Sequence, residues 1–144
     1  VLQGHDHTYA RTYQLSSDGQ QHATFDEYRV KGQQGQSHDI LNEALKDSTK
    51  KEAYESQNRC YTIADMQQGT LHNPKGIFYM SSNSATGSKF YNLIPQQQDY
   101  IAARSQNWRP TYSVVHITKN EFSIITYDAE TGTPIDQSYS IVKD

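Results

Sequence analysis

Residues 111–142 carry the pattern that most restricts the fold. Over 111–118 apolar and polar side chains alternate, with Val114, Val115 and Ile117 apolar, and Lys119-Asn120 follows as a turn. Residues 121–128 bring Phe122, Ile124, Ile125 and Tyr127. Asp128-Ala129-Glu130-Thr131-Gly132 then closes a hairpin loop, with Gly where a positive φ is needed. Residues 135–142 read as a third strand. Side chains two apart share one face of a strand, so the run predicts an antiparallel meander. Only 34% of the 144 residues are apolar and mean hydropathy is −0.89. One domain can be built from this, its core concentrated in a few segments. Eleven tyrosines supply bulk that packs while leaving a hydroxyl to bond.

Upstream the period changes. Residues 37–46 place Ile40, Leu41, Ala44 and Leu45 on one stripe, which predicts a helix capped by Ser37 or Asp39. A second helix is expected from near Ser48, with Cys60 and Tyr61 near its end. Both belong to a polar, partly helical insertion over residues 14–70. Asn73-Pro74-Lys75-Gly76 is a turn, and Ile77-Phe78-Tyr79-Met80 is a short apolar run fit for a buried strand. It feeds a loop of small residues over 81–89, where little side-chain bulk stands in the way of an approaching ligand. The expected fold class is α+β: a mostly antiparallel sheet with a helical insertion, in a single segment over 1–144.

Charge and cysteine content narrow the chemistry. Thirteen basic and sixteen acidic residues give a net charge of −3 without a basic stripe, so nothing favours nucleic acid as a partner. The single cysteine, Cys60, rules out an internal disulfide framework and a cysteine zinc site; an inert or buried thiol is expected there. No apolar run approaches the ~18–20 residues of a membrane span. The chain opens at Val1, inside what reads as a strand and without an initiator Met, which predicts the C-terminal part of a longer protein.

The candidate site is at that end. In Val1-Leu2-Gln3-Gly4-His5-Asp6-His7, an extended backbone would project His5 and His7 to the same face, with Asp6 on the other. Two neutral imidazoles side by side are a partial metal site. Tyr9 and Arg11 continue the alternation, as supports for that site or as packing against the insertion. His22, His38, His72 and His116 stand in contexts that do not point to ligation. Lys89, at the end of the small-residue loop, is a candidate for meeting an anion. Trp108 is a candidate recognition residue or a seam anchor.

Gly4-His5-Asp6-His7, followed by Tyr9 and Arg11, resembles the last G-H-x-H motif of calcineurin-like metallophosphoesterases, with the closest likeness to the purple acid phosphatase-like branch of bacterial type. Residues 73–91 resemble the strand and small-residue loop that follow the motif there, and 109–115 and 126–143 resemble the closing strands. The resemblance implies a C-terminal portion of a two-sheet sandwich and the activity of a phosphoric-ester hydrolase. It implies two metal ions (iron, manganese or zinc), one held by His5 and the other by His7, clamping a phosphoester for attack by a metal-activated hydroxide. The family's other ligands and its acid-base histidine lie earlier, and no match for them is present. The chain alone is therefore expected to be inactive, with weak or no metal binding, to need the preceding part of the same chain as partner, and to self-associate through an exposed sheet edge. Location outside the cell or at its surface is expected from the polar surface and the bacterial relatives. The alternative is a non-catalytic extracellular β-rich binding module in which His-x-His is incidental.

Overall fold

Side chains that alternate between buried and open positions set the architecture. A computed structural model of the chain describes residues 1–20, 59–95 and 97–144, and among these lie ten strands and no helix. They are β1 (Leu2–Gln3), β2 (Tyr9–Thr12), β3 (Gln14–Ser17), β4 (Tyr61–Asp65), β5 (Thr70–His72), β6 (Met80–Ser82), β7 (Ile101–Ser105), β8 (Thr111–Ile117), β9 (Glu121–Asp128) and β10 (Tyr139–Val142). One four-stranded sheet runs β1-β6-β2-β7, another runs β5-β10-β9-β8, and β3 pairs with β4. The chain divides into two compact units, Val1–Ser16 with Ile63–Asp144, and Ser17–Thr62. Within the second, Asp18 N donates to Cys60 O at 3.4 Å.

The β8–β9 hairpin pairs antiparallel, in register from Thr111↔Asp128 to Ile117↔Phe122, with β8 exposed from Val114 to Ile117. Its turn is held by Thr118, whose N–H donates to Glu121 O at 2.8 Å while its hydroxyl accepts from the N–H groups of Asn120 and Glu121. Along β9, Ile124, Thr126 and Asp128 are buried and the residues between them less so. In the next loop Asp128 Oδ1 accepts from Glu130 N and Thr131 N at 2.9 and 3.0 Å, and Gly132 takes φ +68°. The third strand is shorter than the expected 135–142. Ile135 N still donates to Thr126 O, but Asp136 leaves the ladder to meet Tyr9 and Arg11, and pairing resumes only at Tyr139. On its far side β10 takes β5 in parallel, Ser140↔Thr70 to Val142↔His72.

In the other sheet β2 lies between β6 and β7, antiparallel to both, with Tyr9 opposite Ser82 and Ser105. The core is shared between the two sheets: Tyr9, Phe78 and Met80 from one side, Leu71, Ile124 and Tyr139 from the other. The Phe78 ring centroid lies 4.9 Å from that of Tyr139 and 5.6 Å from that of Phe122. Each such side chain removed from water stabilises the fold by about 1.5–3 kcal/mol before entropy is counted. Phe78 and Met80 are buried whereas Ile77 and Tyr79 are exposed, so the apolar run 77–80 presents alternate faces instead of burying both.

The α+β expectation is overturned: the described chain is all β. Where a helix was expected to end, near Cys60 and Tyr61, Tyr61 instead opens β4. There Tyr61, Ile63 and Asp65 are half-buried and Thr62 and Ala64 exposed, a period of two and not 3.6. The helical stripes expected over 37–46 and from Ser48 lie outside the described residues. Among the described residues no helix is long and apolar enough to cross a membrane.

Candidate metal-ligand site

Gly4-His5-Asp6-His7 occupies the connection between β1 and β2. The backbone is not extended through it, because His5 takes φ +82°. This corrects the basis on which His5 and His7 were expected to share a face: a positive φ turns the chain, and strand alternation does not carry across it. The His5 side chain is 92% exposed, its Nδ1 3.7 Å from an Asp6 carboxylate oxygen. Alternation is restored afterwards. Asp6, Thr8, Ala10 and Thr12 line an open groove on one side of β2, while Tyr9 and Arg11 are buried in the molecule.

His7 is held much more closely. Its Nδ1 lies 2.6 Å from Lys89 O, and its ring packs against Tyr91 with centroids 4.9 Å apart at 55°. A carbonyl only accepts, so the bond requires the proton on Nδ1 and leaves the Nε2 lone pair free when the ring is neutral. Metal-bound histidines are oriented in this way, by donating the other ring N–H to a carbonyl or carboxylate. The small-residue loop therefore does reach the motif, through the Lys89 carbonyl. The Lys89 ammonium lies 5.0 Å from the Tyr91 ring centroid, adding a cation to the same cluster. The loop is seated by Thr111, whose N–H donates to Ser84 O at 3.1 Å and whose hydroxyl donates to Ser82 O at 2.8 Å.

Tyr9 and Arg11 serve the sheet interface beneath. Arg11 Nε donates to Asp136 Oδ2 at 2.7 Å, Tyr9 Oη donates to the same oxygen at 2.6 Å, and the Arg11 guanidinium lies 4.8 Å from the Tyr139 ring centroid. Burial pushes the Tyr9 phenol well above its ordinary range, and the Asp136 carboxylate that accepts its proton pushes it further. Burial alone would lower Arg11, but Asp136 outweighs it and the guanidinium is held more firmly protonated.

The other candidates lie apart from the motif. His72 and His116 are exposed on β5 and β8, and His22 and His38 lie outside the described residues. Cys60 is exposed, so of the expected inert or buried thiol the buried alternative does not hold. Trp108 is 56% exposed at φ +60°, its ring edge-on to Phe90. Among the described residues no three of His, Cys, Asp and Glu converge as a ligand set. Of the two expected ligands, His7 has an oriented ring and His5 an open one. Tyr91 and Asp136 carry no local signal of these contacts: one of eleven tyrosines and one acidic residue among sixteen look like many others.

The chain matches no family model, no curated protein and no solved structure.

Proposed function

We propose that this chain supplies two metal ligands, His5 and His7, to a two-metal phosphoester hydrolase of the kind its Gly4-His5-Asp6-His7 motif resembles. The observation that carries the reading is the 2.6 Å contact from His7 Nδ1 to Lys89 O, which prepares Nε2 as the ligating atom before any ion arrives. His5, exposed and at positive φ, presents its ring to solvent two positions before His7. A bound ion pair in such a site supplies a nucleophilic hydroxide near neutral pH and neutralises charge on the phosphoryl group. This chain's part is to hold and orient imidazoles. With two ligands among the described residues, it binds a divalent ion weakly by itself, and the bridging carboxylate and the remaining ligands come from beyond those residues.

Calorimetric titration of the chain with Zn²⁺ or Mn²⁺ tests this. A weak event abolished by His5→Ala with His7→Ala is expected; binding that persists unchanged in the double variant would overturn the reading.

A second reading rests on a different observation. Tyr112, Val114, Val115 and Ile117 on the edge strand β8, together with Trp108, expose large apolar side chains. Exposed apolar side chains along an unpaired strand edge suit a non-catalytic β-rich binding module, for which His-x-His is incidental. Loss of metal binding in the double histidine variant argues against the module, and unchanged binding argues for it.

A further inference from the structure

The backbone carbonyl of His7 lies just beyond the point where regular pairing of β2 stops. The β2–β7 ladder ends with Tyr9 opposite Ser105, and the next residue on that side is Gln106. Its side-chain amide takes over. Gln106 Nε2 donates to His7 O at 2.6 Å and to Tyr91 O at 2.7 Å, and Gln106 Oε1 accepts from Trp108 N at 3.1 Å. Tyr91 N also donates to His7 O at 3.3 Å. Both amide hydrogens and the amide oxygen are thus engaged.

The consequence follows from what the two carbonyls belong to. One is the backbone of the proposed ligand; the other is the backbone of the aromatic ring that packs on that ligand. Two residues before Tyr91 is Lys89, whose carbonyl receives the His7 Nδ1 proton. A single amide therefore ties the two segments whose separation decides whether the His7 ring meets its acceptor. We infer that Gln106 is a positioning residue for His7, fixing its Nδ1–H tautomer and the direction of its Nε2 by clamping the His7 and Tyr91 carbonyls together. The inference deepens the metal-ligand reading and rests on it for its purpose, but its geometry is independent of any ion.

Ring ¹⁵N–¹H correlation spectra of the full chain, taken at about pH 8.5 where an ordinary histidine is neutral, read the tautomer directly. His7 is expected in the Nδ1–H form. Gln106→Glu keeps the shape and the acceptor for Trp108 N but removes the donors. It is expected to shift His7 toward the Nε2–H form that free imidazoles favour, and to weaken Zn²⁺ binding, followed by His7 ring shifts, by about tenfold or more. Gln106→Lys restores a donor between the carbonyls and is expected to recover the Nδ1–H form. A lesion confined to folding would lower the melting temperature without this pattern. His7 remaining Nδ1–H in a folded Gln106→Glu chain would overturn the inference. Should that variant not fold, the unsubstituted chain decides: both Gln106 amide protons exchange slowly if the clamp exists, and fast exchange overturns it. Failure of the metal reading looks different, with Zn²⁺ leaving the His7 ring signals of the unsubstituted chain unmoved while Gln106 still controls the tautomer.

Discussion

Arg11 and Asp136, 125 residues apart, form a buried ion pair with Nε 2.7 Å from Oδ2, their side chains 1% and 9% exposed. Tyr9 donates to the same carboxylate oxygen, so one acidic side chain closes the sheet interface beneath the histidine motif. The pair joins β2, which leads out of that motif, to the segment that leaves the ladder before β10.

Removing one partner of such a pair leaves the other charge buried and unpaired. Asp136→Ala is expected to destabilise the chain by about 3–5 kcal/mol in urea unfolding. Replacing both, as Arg11→Met with Asp136→Leu, should cost much less, because no charge is then stranded. A double variant no more stable than Asp136→Ala would show that the ion pair is not what the single change breaks.

Alkaline pH acts on the same cluster. Tyr9 is held above its ordinary value by burial first and by Asp136 second; Tyr139 is raised by burial, with Gln14 and Arg11 partly offsetting it. A raised folded-state value means that the fold holds the proton more tightly than the unfolded chain does. The resulting stability is complete below the unfolded tyrosine value of about 10 and is lost as pH climbs above it. Urea melts between about pH 8 and 11 should show a decline confined to the upper end. Tyr9→Phe and Tyr139→Phe should each flatten it. An unchanged slope in both variants would place the alkaline loss elsewhere.

Gly76 makes a backbone prediction. It takes φ +87°, and a Cβ there would stand 2.6 Å from Leu15 O and 3.2 Å from Ala64 Cβ. The nearest atom is backbone, in a segment fixed by the reciprocal bonds of Leu15 and Ile77, so it has little room to yield. Gly76→Ala is expected to cost more than about 1 kcal/mol, combining the unfavourable φ with the clash. Gly132→Ala, at φ +68° with open space around it, should cost less; equal losses in thermal melts would remove the steric part of the explanation.

These relationships also show why sequence exposes some of the structure and hides the rest. The β8–β9 hairpin is legible because its apolar residues fall in two short runs either side of turn residues that satisfy themselves locally. β5 has one apolar residue, Leu71, and its strand state comes from parallel pairing with β10, some seventy residues later. β7 is half-buried at every position and offers no alternation to read. The histidine motif is visible as residue types, but the disposition of its side chains is not, since the turn at His5 breaks the period on which the expectation stood. Loop 81–89 is recognisable by its small side chains. That its last carbonyl meets His7, and that Asp136 meets Arg11, are contacts across 82 and 125 residues with no local signature.

The turn at His5 separates strain from chemistry. A non-glycine residue at φ +82° sits in sparsely populated backbone space, a conformation that costs of order 1 kcal/mol and is concentrated at functional sites. Nothing stands within 4 Å of a Cβ built on the preceding Gly4, so close packing there does not account for the turn. His5→Ala keeps the strained backbone and removes the imidazole; His5→Gly removes both the imidazole and the strain. Urea unfolding should therefore rank His5→Gly above His5→Ala by about 0.5–1 kcal/mol, even though glycine gains more freedom in the unfolded chain. Both variants should lose the weak divalent-ion binding equally. If His5→Gly is instead the less stable of the two, His5 is not under backbone strain, and the link between its conformation and a ligand role is lost.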